Sequence, residues 1–364
     1  MKTSRRFGIW LFVAALFSML LQPAAGEVKL DGESSFHFAD RNEAAQILGT
    51  RDAFVKALGP FDRSVRLKTK GAASAEELLE FMSDQARSFN AQEKERLTTR
   101  IESIRAKLKK VDVNVPFPEQ IVLVKASQRL EHGLAHCRGS AIILPDTRSA
   151  LKSSRLEHLL AHELFHILTT AHPELQRELY TVVGFRPCPG VSFLGELKPR
   201  KITNPDAFGL NYCAKLEYKD SPVYACPVLL SHTSTYEPSR NPGLMSYANL
   251  KFLVVERNGD SWACRREDGS PMVLDRSEVS GYLDKVGRNT GYIIHPEEVL
   301  AENFAFIVGG RQSFRTPEIP EQMKEVLRGY SEDGASEGKK AATTAIESGA
   351  QRTRPNFSSA AVGR

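Results

Sequence analysis

The chain has 364 residues, 41% hydrophobic and 26% charged, with a formal net charge of +5. That length gives room for one large domain or two small ones with a sizeable core. The near balance of charge offers no basic surface of the kind nucleic acid selects, so no nucleic-acid partner is expected.

Residues 1–25 read as a secretory signal peptide. Lys2, Arg5 and Arg6 form its charged start, Phe7 to Leu21 its apolar run, and Pro23-Ala24-Ala25-Gly26 its small-residue end. The run falls short of the ~20 residues that span a bilayer comfortably. A secreted or periplasmic protein is expected, with no stable membrane association after signal cleavage. All five cysteines (Cys137, Cys188, Cys213, Cys226, Cys264) lie beyond this leader, where disulfides form. Their odd number leaves at least one without a partner in the chain.

A single domain is expected over 27–330, opening with a helical layer over 27–115. Short helices are placed near Arg41 to Leu48 and over Asp52 to Leu58, the second closed by Gly59-Pro60. Ser74 to Phe89 carries Leu78, Leu79, Phe81 and Met82 at helical spacing, and Ala91 to Leu108 carries Leu97, Ile101, Ile104 and Leu108. The layer reads as packing over a catalytic core; an inhibitory pro-segment is the other reading. Gln120 to Lys125 and Cys137 to Leu144 read as strands, the second closed by Pro145. A strand just before the next helix can border a cleft and pair with an extended peptide.

That next helix holds His162-Glu163-Leu164-Phe165-His166. Two histidines four residues apart share one helix face, so both imidazoles can reach one metal ion. Glu163 points about 100° round the helix, where its carboxylate can take a proton from a metal-bound water without ligating the metal. Leu156, Leu160, Leu164, Ile167 and Leu168 mark the helix as buried, with Ser153 or Ser154 as its cap. It stops at Ala171-His172-Pro173, and Pro173 starts another helix to about Val183. His136 and His158 stay without a role.

Two hairpins follow. If Lys219-Asp220 is a two-residue turn, Tyr218 pairs with Ser221 and Cys213 falls opposite Cys226, the basis for expecting a Cys213–Cys226 disulfide. Asn258-Gly259, between Leu250 to Arg257 and Asp260 to Arg265, is a type I′ signal. Ser277 to Val286 reads as a helix, as does Glu297 to Val308, which carries Glu298, Glu302 and Asn303. Residues 331–364 are poor in large apolar side chains and are expected to be disordered.

The motif His162-Glu163-x-x-His166, with Pro296-Glu297-Glu298-Val299-Leu300-Ala301-Glu302-Asn303-Phe304 on a later helix, resembles the gluzincin group of zinc metallopeptidases. There a glutamate on a later helix is the third zinc ligand. The resemblance covers these two helices only. It implies an α+β, zincin-like domain with a small mixed sheet and a peptidase acting on peptide or protein substrates. It implies one Zn²⁺ held by His162, His166 and Glu302, with Glu163 as general base. Tyr292 and His295 are the candidate oxyanion stabilisers, with Tyr247 and His232 behind them. Glu298 either orients a histidine or is solvated.

A metzincin-type alternative uses His172, at HExxHxxGxxH spacing, with Met245-Ser246-Tyr247 as a methionine turn; Thr169 stands where that pattern needs glycine. The non-enzyme alternative is an exported binding or scaffold domain with an inert or absent metal.

Overall fold

Polar caps start the N-terminal helices. Asp40 accepts from the N–H groups of Asn42 and Glu43 at the head of α1 (Arg41–Leu48), and Asp52 from that of Val55 in α2 (Ala53–Ala57). Pro60 opens α3 (Pro60–Leu67). Reciprocal capping boxes, Ser74 with Glu77 and Asn90 with Glu93, start α4 (Ala75–Asp84) and α5 (Ala91–Val111). The computed structural model describes residues 27–113, 115–146, 155–240 and 243–330. The expected leader, the expected tail and the Ser153/Ser154 cap lie outside the described residues.

The first sheet is mixed. Its strands are β1 (Val28–Lys29), β2 (Ser35–Phe38), β3 (Ala86–Arg87), β4 (Gln120–Ala126), β5 (His136–Arg138) and β6 (Ala141–Pro145), in the order β1-β2-β4-β6-β5 with β3 also on β4. β2, β4 and β6 run parallel; β5 is an antiparallel edge strand. Alternate residues of β4 and β6 face two cores. Ile121, Leu123, Ile142 and Leu144 pack with α5 and the motif helix, while Val122, Val124 and Ile143 pack with α1, α2 and α4. Burial on both faces explains why these strands read as unbroken apolar runs.

Beyond the motif helix α6 (Arg155–Ala171) and α7 (Pro173–Val182) lies an antiparallel sheet. It is built from β7 (Phe185–Pro187), β8 (Lys201–Ile202), β9 (Tyr212–Tyr218), β10 (Ser221–Ser231), β11 (Ala248–Asn258) and β12 (Ser261–Cys264). The short α8 (Leu244–Tyr247) precedes β11. β13 (Arg266–Glu267) and β14 (Ser270–Pro271) pair with each other, and β15 (Val273–Asp275) returns to β11. Then come α9 (Tyr282–Val286), α10 (Pro296–Val308) and α11 (Glu318–Gly329). α10 is buried nearly all round, and its Leu300, Phe304 and Ile307 join the core that holds Leu160, Leu164 and Phe165 of α6.

The chain is therefore a mixed α+β protein. Several expectations need correction. The N-terminal layer is not only helical, because it also supplies β1, β2 and β3, and β2 pairs with β4 inside the sheet. The strand expected over Cys137 to Leu144 is a hairpin, turned at Gly139 with φ +59°. The helix expected over Ser277 to Val286 is shortened by Gly281 at φ +82°.

The β9–β10 turn is as read, with Lys219 and Asp220 both at positive φ and Tyr218 opposite Ser221. The second turn is one residue later than read. Asn258 pairs with Ser261, so Gly259-Asp260 is the turn, and of its two residues only Gly259 has positive φ. The Cys213–Cys226 disulfide is absent and all five cysteines are free thiols. Cys188, placed by its N–H bond to Asn211 O, sets its sulfur 3.6 Å from that of Cys226.

Candidate metal centre

α6 runs unbroken through the motif, so His162 and His166 emerge one turn apart with ring centroids 4.8 Å from each other. Both rings and Glu163 are buried. α10 meets this face in antiparallel order: His158 contacts Glu302, His162 contacts Glu298, and His166 contacts Glu297.

The two Nε2 atoms converge on one carboxylate oxygen. Glu298 Oε2 lies 3.1 Å from His162 Nε2 and 3.7 Å from His166 Nε2. His166 Nε2 is buried and has no hydrogen-bond partner. The Nδ1 atoms face other carboxylates. His166 Nδ1 is 2.9 Å from Glu297 Oε1, and His162 Nδ1 is 3.2 Å from Glu302 Oε1, without the alignment of a good hydrogen bond. Glu297 is held in turn by Thr169 Oγ1 at 2.6 Å and Tyr180 Oη at 2.7 Å. His162, His166 and Glu298 thus form a three-donor group with the spacing of a metal site.

Glu302, expected from the sequence as third ligand, sits one turn further along α10. It is shared between His158 Nε2 and His162 Nδ1, 3.2 Å from each, and accepts from Thr290 Oγ1 at 3.3 Å. Glu298, read as an orienting or solvated residue, takes the central place instead. The two carboxylates share one face of α10, and the antiparallel register against α6 decides between them.

Tyr292 is brought to the site. Its ring stacks on His162, with centroids 6.2 Å apart and planes at 24°, and it lines the cavity. His295 is not: it caps α10, accepting from Glu297 N–H at 3.2 Å, and its ring packs on Tyr180. Burial pushes its pKa down to about 4. His232 and Tyr247 stack on each other at 5.3 Å, outside the cavity lining.

His172 is held elsewhere, against Pro116 O at 2.6 Å and Tyr330 Oη at 3.3 Å. Thr169 stays helical inside α6, so the chain makes none of the turn that the His172 alternative requires. Met245 is 48% exposed on the cavity wall rather than packed beneath the histidines.

Three residues have no signal in the sequence. Asp206, in the loop after β8, accepts from the Cys137 N–H of β5 at 2.6 Å. Cys137 Sγ lies 3.3 Å from Glu163 Oε2. Asn204 Nδ2 donates to Glu298 Oε1 at 2.5 Å. A cavity of about 630 Å³ opens over the group, lined on its apolar side by Leu134, Leu159, Leu229, Met245 and Ile294.

The electrostatics favour positive charge at the two imidazoles. Burial alone would lower both imidazole pKa values, but Glu298 and Glu302 hold that of His162 well above its ordinary value. Asp206 and Glu297 raise that of His166 to about 9. Glu163, Asp206, Glu297, Glu298 and Glu302 gather five carboxylates around these two rings. Either bound protons or a dication must offset that charge.

No family model, curated protein or solved structure matches the chain.

Proposed function

We propose that the protein is an exported zinc-dependent peptidase with a zincin-like, gluzincin-type centre. His162, His166 and Glu298 hold one Zn²⁺, and Glu163 is the general base. One observation carries this reading: the buried Nε2 atoms of His162 and His166 both turn toward a single oxygen of Glu298, and that of His166 has no hydrogen-bond partner. An orphaned imidazole nitrogen inside a protein is costly, and a metal ion resolves it. The carboxylates on the Nδ1 side match the way metal-binding histidines are oriented and made more basic.

Bound there, Zn²⁺ supplies Lewis acidity that brings a water toward neutral pKa and polarises a carbonyl. Glu163, raised above the usual carboxylate pKa by burial, accepts the proton of the attacking water and passes it to the leaving amine. Tyr292, whose phenol burial keeps protonated, donates to the carbonyl oxygen as charge develops. Export rests on the charged, apolar and small-residue pattern of residues 1–25. Among the described residues no helix is long and apolar enough to cross a membrane.

The test is hydrolysis of casein by purified protein, with and without chelator. Chelation should stop cleavage and added zinc restore it. Glu163→Gln should keep zinc and lose ~10²–10⁴-fold in rate. Zinc-loaded wild type that cleaves neither casein nor a peptide library would contradict the peptidase reading.

A further inference from the structure

Glu298 has two oxygens, and the rotation of its carboxylate decides which of them faces the imidazoles. Oε2 does so; Oε1 meets Asn204 Nδ2 at 2.5 Å. The Asn204 amide cannot turn round to face Glu298 with its oxygen, because that Oδ1 already accepts the N–H of Asp206 at 3.2 Å.

The loop is pinned on both sides of Asn204. Before it, Thr203 donates through its N–H and hydroxyl to Asp62, at 2.8 and 2.7 Å, and its carbonyl accepts from Arg66 at 2.9 Å. After it, Asp206 is held on β5 by the Cys137 N–H. Asp62 and Arg66 belong to α3, and their ion pair, shared with Glu131, is buried. Hydrogen bonds from the N-terminal layer to Thr203, and from the next residue Asn204 to Glu298, thus link α3 to the centre through one peptide bond.

We infer that Asn204 is a positioning residue that fixes the rotation of the Glu298 carboxylate, and that α3 acts on the centre through Thr203. A carboxylate 1% exposed needs a donor on the oxygen that does not face the imidazoles. Without that donor the group is free to rotate and its energy rises, so the preformed donor set is lost. The inference rests on the reading of Glu298 as a ligand. It predicts a role in metal affinity for a half-buried residue that reaches the centre only through another side chain.

The experiment is zinc titration of the full chain against a chromophoric chelator at pH 8, with thermal unfolding of each metal-free variant alongside. Asn204→Ala should bind zinc ~10–100-fold more weakly than wild type. Asn204→Asp keeps the shape but points an acceptor at Oε1, and should bind more weakly still. Thr203→Val, which keeps Asn204 but loses one anchor to Asp62, should fall between wild type and Asn204→Ala. If Asn204→Ala or Asn204→Asp fails to fold, the other two variants still decide. Wild-type affinity in both Asn204 variants would overturn the inference alone. Wild-type affinity in Asn204→Asp with loss in Asn204→Ala would overturn the donor role, since shape would suffice. Wild type that takes up no zinc would overturn the metal reading itself.

Discussion

His162 has a carboxylate near each ring nitrogen, Glu298 at Nε2 and Glu302 at Nδ1. The two glutamates therefore differ in kind. On the proposed ligand set, removing the first deletes a donor, whereas neutralising the second only weakens the hold on an imidazole. Glu302→Gln should leave the site able to fill and lower zinc affinity ~10–100-fold, as such orienting groups usually do. Chelator competition reads this directly; loss of all zinc binding would return Glu302 to the ligand set. The histidine pair and Glu163 were legible because i, i+4 spacing on a helix is local geometry. Which of Glu298 and Glu302 faces both Nε2 atoms was not legible. Both lie on one face of α10, and only the register of two packed helices separates them. Asn204 and Asp206 carry no local pattern at all, since tertiary packing alone brings their loop to the centre.

Elements show the same division. The β9–β10 hairpin and its register were legible because Lys219-Asp220 sits between alternating strands. The β5–β6 hairpin was hidden by burial of both faces, which erased alternation, and Gly139-Ser140 was the remaining sign of a turn. α3 was passed over because Gly59-Pro60 reads equally as the end of one helix and the start of another. Yet α3 carries the buried cluster that anchors the Thr203 loop. Arg66 lies 2.6 Å from Glu131 and 2.9 Å from Asp62, and all three side chains are within 2% of full burial. Arg66→Ala leaves two carboxylates buried without their cation, and should destabilise the protein by ~3–5 kcal/mol. Denaturant unfolding measures this; a change under 1 kcal/mol would mean that water or a neighbour replaces the guanidinium, by the usual size of a solvated pair.

At the scale of the molecule, the α+β class with a mixed sheet was expected from the resemblance carried by the two motif helices, and the chain is mixed α+β. The joining of the two hairpins into one sheet through β10 and β11, and the place of the N-terminal layer, were not legible. β2 lies between β1 and β4, so residues 27–113 form part of the first sheet as well as a cover over it. That placement opposes the pro-segment reading, because removing the layer would strip a paired strand from β4. The centre itself joins distant parts of the chain: α6 gives the imidazoles, α10 the carboxylates around them, and the loop after β8 the hydrogen bond to Glu298. Native mass spectrometry of the full chain, purified without added metal and then given zinc, tests the central claim most directly. Wild type and Glu163→Gln should each carry one zinc per chain, and Glu298→Ala none. Zinc retained by Glu298→Ala but lost from Glu302→Ala, or no zinc on wild type, would contradict it.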